Sequence, residues 1–130
     1  MSAQVRFFVN GQAMTGGSLN GPLQRSGTAL GPASTAPRYR FFSCRNQFPA
    51  LVPTDDGWGV PGELYSVSYA VLRDEVLPAE PPELELSVIE LADGSGALGM
   101  VLRDGVATSE PWLTEIEAGS GWRDYLLTKR

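Results

Sequence analysis

The chain has 130 residues, 42% of them hydrophobic, which is enough for one domain (residues 1–130) with its own core. Its net charge of −5 argues against unspecific nucleic-acid binding, because that affinity comes mainly from lysine and arginine. The sequence contains no histidine and a single lysine, Lys129, so serine–histidine catalysis and histidine-ligated metal sites are excluded and a buried Schiff-base lysine is disfavoured.

The N-terminal half is predicted to consist of short strands separated by loops rich in glycine and proline. Residues 4–9 form an apolar strand, which the glycine-rich stretch "NGQAMTGG" follows as a loop. A short helix is predicted within residues 18–25, and strands at 28–34, 38–44 and 62–67. Residues 46–61 contain three prolines and are predicted to be a loop.

The C-terminal half is predicted to contain the longest helix and the clearest strand. Ser68 is a good N-cap for a helix over residues 69–77, with Tyr69, Leu72 and Val76 on its apolar face and Pro78 at its end. A stiff connector leads to a strand at 84–91, which a hairpin turn joins to a strand at 97–103. The tail, residues 111–127, is predicted to hold one or two short helical pieces. Together these elements predict an α+β domain with a mostly antiparallel, curled sheet or small barrel.

The loop after the first strand offers backbone rather than side-chain chemistry. Its glycines, Gly11, Gly16 and Gly17, match neither the phosphate-loop nor the dinucleotide-binding pattern. Glycine lets backbone amides approach a bound carboxylate or oxyanion closely. The alternative is an ordinary strand-end turn that needs unusual backbone angles.

Acidic residues provide the remaining candidate chemistry. Glu80 and Glu83 flank the rigid pair Pro81–Pro82, which could hold one carboxylate over a pocket. A partly buried carboxylate there has a raised pKa and can act as a general base, whereas the alternative is a solvated polar loop. The lone cysteine, Cys44, is predicted to be a buried structural thiol, and its inability to form an intrachain disulfide fits a cytoplasmic protein. No metal, cofactor or membrane association is expected.

Five blocks of the sequence resemble one known family. The blocks "FFVNGQAMTGGSLN", "GPASTAPRYRFFSC", "VPGELYSV", "EPPELELSVIELADGSG" and "GSGWRDYL" occur in the same order as in the C-terminal domain of allophanate hydrolase. That domain belongs to the gamma-glutamylcyclotransferase-like (AIG2-like) fold. The resemblance covers nearly the whole chain and implies a small mixed, mostly antiparallel β-barrel with short flanking helices and one pocket.

The resemblance also implies where the site lies. In that fold the first loop lines the pocket with backbone amides, and a histidine that some members carry there corresponds to Ala13. Cyclotransferases have a catalytic acid after the helix, where this chain has Glu80 and Glu83, our predicted catalytic residues. The predicted substrate-binding residues are Asn10, Gly11, Gln12, Ala13, Met14, Tyr39, Tyr65 and Arg123.

Three functions are consistent with these features. The first is a free-standing allophanate-hydrolase C-terminal-like domain that binds a small amide or carboxylate metabolite in urea- or allophanate-type nitrogen metabolism, beside a separate amidase. The second is a gamma-glutamylcyclotransferase-like enzyme that releases 5-oxoproline, with Glu80 or Glu83 as the base. The third is a homodimerisation module that uses Trp112, Trp122 and the tail.

Overall fold

The computed structural model describes residues 3–129, which form eight strands and three short helices. Between the second helix and the sixth strand, the chain makes a wide π-helical turn, Leu72–Val76, and a 3₁₀ turn, Leu77–Ala79. In chain order the other elements are β1 Gln4–Val9, α1 Gly21–Ser26, β2 Thr28–Ser34, β3 Tyr39–Cys44, β4 Phe48–Pro53, β5 Pro61–Ser68, α2 Tyr69–Val71, β6 Leu84–Glu90, β7 Gly96–Leu102, β8 Leu113–Glu115 and α3 Trp122–Leu127.

The strands build two sheets, and the predicted α+β class is confirmed. The larger sheet has the order β2-β5-β1-β7-β6, in which only the β1–β7 pair is parallel, and the smaller has the order β4-β3-β8. A single antiparallel bridge between Thr35 and Leu91 joins the ends of the two edge strands β2 and β6. The larger sheet therefore curls as a barrel does, but no ladder of hydrogen bonds closes it.

The central position of β1 determines where the first loop begins. Phe7, Phe8 and Val9 are all buried, although neighbouring residues of a strand point to opposite faces, because other elements cover both faces of this strand. They share one core with Trp122 of α3 and Leu23 of α1. The glycine-rich loop thus emerges from the middle of the larger sheet, beside the parallel partner β7.

The predicted loop over residues 46–61 is wrong in its first part, because β4 occupies Phe48–Pro53. Arg45 and Asn46 adopt left-handed backbone angles (φ 54° and 58°) and reverse the chain between β3 and β4. Pro49 and Pro53 lie four residues apart, so their missing N–H groups fall on one side of the strand. Since β4 is an edge strand that pairs only with β3, one of its sides needs no donors and tolerates both prolines.

Two predictions for the C-terminal half need correction. Ser68 does cap the predicted helix, since its Oγ accepts a hydrogen bond from the Val71 N–H at 3.1 Å. The helix, however, widens at Leu72 and tightens at Leu77, and Tyr69 is 55% exposed instead of packed. The tail holds one helix, α3, and also the short strand β8, which pairs with β3.

Candidate functional site

The first loop begins with a tight turn from Gly11 to Met14. The Met14 N–H donates to the Gly11 carbonyl at 3.1 Å, and the Leu19 N–H donates to the Gln12 carbonyl at 2.9 Å. Trp122 of α3 adds a contact from its indole Nε1–H to the Gln12 Oε1 at 3.3 Å. The loop is therefore a built structure held at several points.

Two glycines of this loop are required by close packing. A Cβ atom at Gly11 would lie 2.4 Å from the Cδ of Pro49, and one at Gly17 would lie 2.1 Å from the Gln12 carbonyl oxygen. Atoms at such distances overlap, so a larger residue would displace the loop or β4. Packing thus accounts for Gly11 and Gly17, whereas Gly16 adopts a left-handed φ of 87° that favours glycine.

We expect Gly11→Ala to destabilise the fold by about 1–3 kcal/mol and to move the first loop away from β4, because its new methyl group overlaps Pro49. Gly96→Ala is the matched control, since a Cβ there meets its nearest neighbour at an ordinary 3.6 Å. Urea denaturation of both variants measures the difference. Equal stability of Gly11→Ala and the wild-type protein would contradict the described packing.

Three consecutive backbone amides of the loop have no hydrogen-bond acceptor within the described residues. The N–H groups of Gly11, Gln12 and Ala13 donate to no carbonyl in residues 3–129, whereas those of Met14 and Gly17 do. Backbone donors that lack a protein partner bind water or a ligand. Successive amides in a turn form a concave site for anionic oxygens.

These amides belong to residues that line a pocket. The pocket encloses about 380 Å³ of space, counting its open mouth. Asn10, Gly11, Gln12 and Ala13 form one part of its lining, and Glu80 another. The remaining walls are mostly apolar and are formed by Phe7, Phe8, Val9, Leu19, Phe48, Pro49, Pro81, Leu84 and Met100.

Glu80 is the ionisable residue of this lining. Burial raises the pKa of its carboxyl from 4.5 to about 7, and neither a hydrogen bond nor a charged neighbour contributes to the shift. The Glu80 N–H closes the 3₁₀ turn on Leu77 at 3.1 Å, and its extended backbone (ψ 147°) leads directly into Pro81–Pro82. The 3₁₀ turn before Glu80 and the two prolines after it thus hold the Glu80 carboxyl, which has no charged partner, at the pocket.

Glu83, the other predicted catalytic residue, lies outside the pocket lining. Its Oε2 forms an ion pair with the Arg45 Nη1 at 3.1 Å, which links the connector before β6 to the β3–β4 turn. The Arg45 guanidinium also stacks 4.6 Å above the ring of Trp112. The structure therefore separates the two carboxylates that the sequence left equivalent.

The other predicted binding residues are not all brought together. Asn10, Gly11, Gln12 and Ala13 line the pocket with Glu80, whereas Met14 lies on the far side of the loop, in a groove with Arg123. Arg123 donates to the Thr15 carbonyl and to Glu63, and thereby clamps the loop from outside.

The two predicted binding tyrosines also lie away from Glu80. The Tyr39 hydroxyl accepts a hydrogen bond from the Glu90 N–H at 3.0 Å, on another part of the molecule. The Tyr65 hydroxyl bonds to Thr15 and to Asn20, behind the first loop. Neither ring is among the residues that line the Glu80 pocket.

Local sequence patterns carry no signal for several residues of the pocket and of the loop that borders it. Phe48 and Pro49 belong to a stretch predicted as a loop, and Met100 is one apolar residue among many in β7. Asn20 precedes a helix, where asparagine is usually a cap, yet its side chain makes no cap bond. The continuous apolar run Phe48–Val52 was the usable hint of β4.

Other kinds of site find little support in the described chain. Residues 3–129 hold no cluster of three or more side chains suited to a metal ion. No helix in this part of the chain has the length and apolar character needed to cross a membrane. Cys44 is fully buried, and desolvation raises the pKa of its thiol to about 11, which makes it unreactive.

Comparisons with known proteins show the family of the chain. The profile of the allophanate hydrolase C-terminal domain family matches residues 5–127. Among solved structures, the uropathogenic E. coli-specific protein c4763 is similar, with 28% identity, a TM-score of 0.85 and coverage of 95% of this chain and 96% of that one. None of the curated proteins matches the chain in a sequence comparison.

Two further structures relate the fold to larger and more distant proteins. Kluyveromyces lactis allophanate hydrolase superposes with a TM-score of 0.87 at 21% identity, and the match covers 98% of this chain but only 22% of the yeast enzyme. A Mus musculus AIG2-like protein gives a TM-score of 0.64 at 18% identity over 90% of this chain and 88% of its own. The fold is thus gamma-glutamylcyclotransferase-like (AIG2-like), and the chain belongs to the allophanate hydrolase C-terminal domain family.

Proposed function

We propose that the protein binds a small amide or carboxylate metabolite between the first loop and Glu80, in urea- or allophanate-type nitrogen metabolism, and that it assists a separate amidase. The observation that carries the proposal is the shared pocket. Its lining includes three residues whose backbone amides have no acceptor within residues 3–129, together with Glu80, whose carboxyl lacks a charged partner. The family match supports the metabolic context, although the chain corresponds to only 22% of the yeast enzyme.

The pocket divides the recognition of such a ligand between its two parts. The amides of Gly11, Gln12 and Ala13 receive a carboxylate or carbonyl oxygen, since backbone donors favour negative charge. Glu80, with a pKa of about 7, accepts a hydrogen bond from an amide or amine N–H of the same ligand when it is ionised.

Ligand-induced thermal shifts with acetate, malonamate and biuret test the binding proposal, together with co-elution of an amidase-family protein. We expect malonamate or biuret to raise the melting temperature of the wild-type protein and to lose this effect with Gly11→Ala. If no compound shifts the transition and no amidase co-elutes, the proposal is wrong. A shift that Gly11→Ala retains would place the ligand elsewhere on the molecule.

A second function, gamma-glutamyl cyclotransfer, is favoured by the raised pKa of Glu80. In this reaction Glu80 takes a proton from the α-amine of a γ-glutamyl substrate, and the amine nitrogen attacks the γ-carbonyl carbon. The loop amides stabilise the oxyanion that forms. The C–N bond of the γ-amide then breaks, the leaving amine takes the proton back from Glu80, and 5-oxoproline is released. Since the attack is intramolecular, orientation and one base can be sufficient.

The dimerisation module gains no support from the positions of the tryptophans. Trp122 is 1% exposed and packs in the core, stacked with Tyr125 at 5.8 Å between ring centroids. Trp112 is half-buried beneath Arg45. Neither ring is presented as an apolar anchor for a second protein.

A further inference from the structure

Asn20 is a buried polar residue that the site described above does not use. Only 3% of its surface is exposed. It directly precedes α1, but its side chain turns away from that helix and makes no cap bond. Its Nδ2 donates instead to the Ala13 carbonyl at 2.9 Å and to the Tyr65 hydroxyl at 3.0 Å.

With the bond from Asn20 to the Ala13 carbonyl, both polar groups of the peptide between Ala13 and Met14 are hydrogen-bonded. In the peptide that joins Ala13 to Met14, the N–H donates to the Gly11 carbonyl at 3.1 Å, and the carbonyl accepts from Asn20. A planar peptide held at both ends cannot rotate without breaking one of these bonds. This peptide closes the Gly11–Met14 turn, which contains the amides of Gln12 and Ala13.

A second contact connects this peptide to the sheet. The Tyr65 hydroxyl of β5, which Asn20 contacts, also lies 2.8 Å from the Thr15 Oγ1, and the Thr15 N–H donates to Glu63 at 2.8 Å. Through Asn20, Ala13 is thereby connected to Tyr65 of β5, the same strand that holds Thr15. All buried side-chain polar atoms within residues 3–129 are paired, so the loss of Asn20 leaves a specific gap.

We propose that Asn20 is a positioning residue that holds the Gly11–Met14 turn so that its amides receive an anionic or carbonyl oxygen. The inference rests on the proposed function and adds the residue that maintains the amide geometry. Asn20 touches no ligand itself, because its side chain contacts the back of the loop.

The test uses ¹H–¹⁵N spectra of the whole chain, with sodium acetate as the probe. Asn20→Leu keeps the approximate size of the side chain and removes both donors. Thr35→Val is the matched control, because Thr35 is equally buried (1% exposed) and hydrogen-bonded to Val60 and Ala36, and lies outside the pocket lining. If Asn20→Leu does not fold, Asn20→Ala takes its place, since it leaves room for a water.

We expect Asn20→Leu to shift the amide resonances of Gln12, Ala13 and Met14 without ligand, and to weaken acetate binding about tenfold, as the loss of one positioning bond predicts. Thr35→Val should change neither these amide resonances nor the affinity for acetate. Wild-type acetate affinity in Asn20→Leu, or equal weakening in Thr35→Val, would overturn the inference. If acetate does not shift the wild-type amides, these amides are not a carboxylate site and that part of the proposed function is wrong. The ligand-free spectra then decide whether Asn20 positions the turn: unchanged resonances of Gln12, Ala13 and Met14 in Asn20→Leu would overturn the inference.

Discussion

Glu80→Gln is expected to lower the cyclotransferase activity proposed above about 10²- to 10⁴-fold, the usual contribution of a general base, measured as 5-oxoproline released from γ-glutamyl dipeptides. Glutamine keeps the size of the side chain and its place beside Pro81 but accepts no proton. Glu83→Gln is expected to retain activity, because Glu83 pairs with Arg45 outside the pocket lining. The assay measures 5-oxoproline at a series of substrate concentrations.

The pH profile makes this prediction more specific. A base must be deprotonated to act, so the wild-type rate is expected to rise with pH and to level off above the Glu80 pKa of about 7. The residual rate of Glu80→Gln should lack this rise. Full activity of Glu80→Gln, or a wild-type rate that is already constant near pH 5, would remove Glu80 from the reaction.

The same substitution is expected to stabilise the protein in a pH-dependent way. The pKa of Glu80 rises from 4.5 to about 7 on folding, so between these values the folded protein holds a proton that the unfolded chain has released. Stability therefore falls as pH rises through this window, and the full cost is present above about pH 7. Glutamine carries no charge at any pH, so Glu80→Gln has no penalty for burying a charge at this position.

We therefore expect Glu80→Gln to match the wild-type protein near pH 4 and to exceed its free energy of unfolding by on the order of 2–3 kcal/mol near pH 8. Urea denaturation at several pH values measures the difference. Glu117→Gln is the control, because it makes the same chemical change at an exposed side chain. A stability difference for Glu80→Gln that does not vary with pH would mean that Glu80 is not desolvated.

Much of the fold could be predicted from the sequence because local patterns coincide with burial. The strand before the first loop, the β6–β7 hairpin and the Ser68 cap all follow from apolar residues and turn residues in register. β4 could not be predicted, since its two prolines are compatible with a strand only at a sheet edge, and edge position is a property of the assembled sheet.

The site could be predicted only in part, for a similar reason. The sequence suggested that the glycine loop works through backbone amides, and it identified Glu80 and Glu83 on either side of two prolines. It could not distinguish the two carboxylates, because the choice depends on Arg45, which lies 38 positions earlier in the chain and pairs with Glu83 alone. Asn20 was missed because its partner Ala13 offers only a backbone carbonyl.

Both proposed functions depend on the state of the Glu80 carboxyl group. A ¹³C NMR titration of the glutamate side-chain carboxyls, with Glu80→Gln to assign the Glu80 resonance, measures it in the protein without any ligand. The structure predicts that this resonance titrates with a pKa of about 7, because desolvation in the first-loop pocket disfavours its charge. A Glu80 pKa near 4.5, the value of a solvated glutamate, would contradict the existence of the pocket as described.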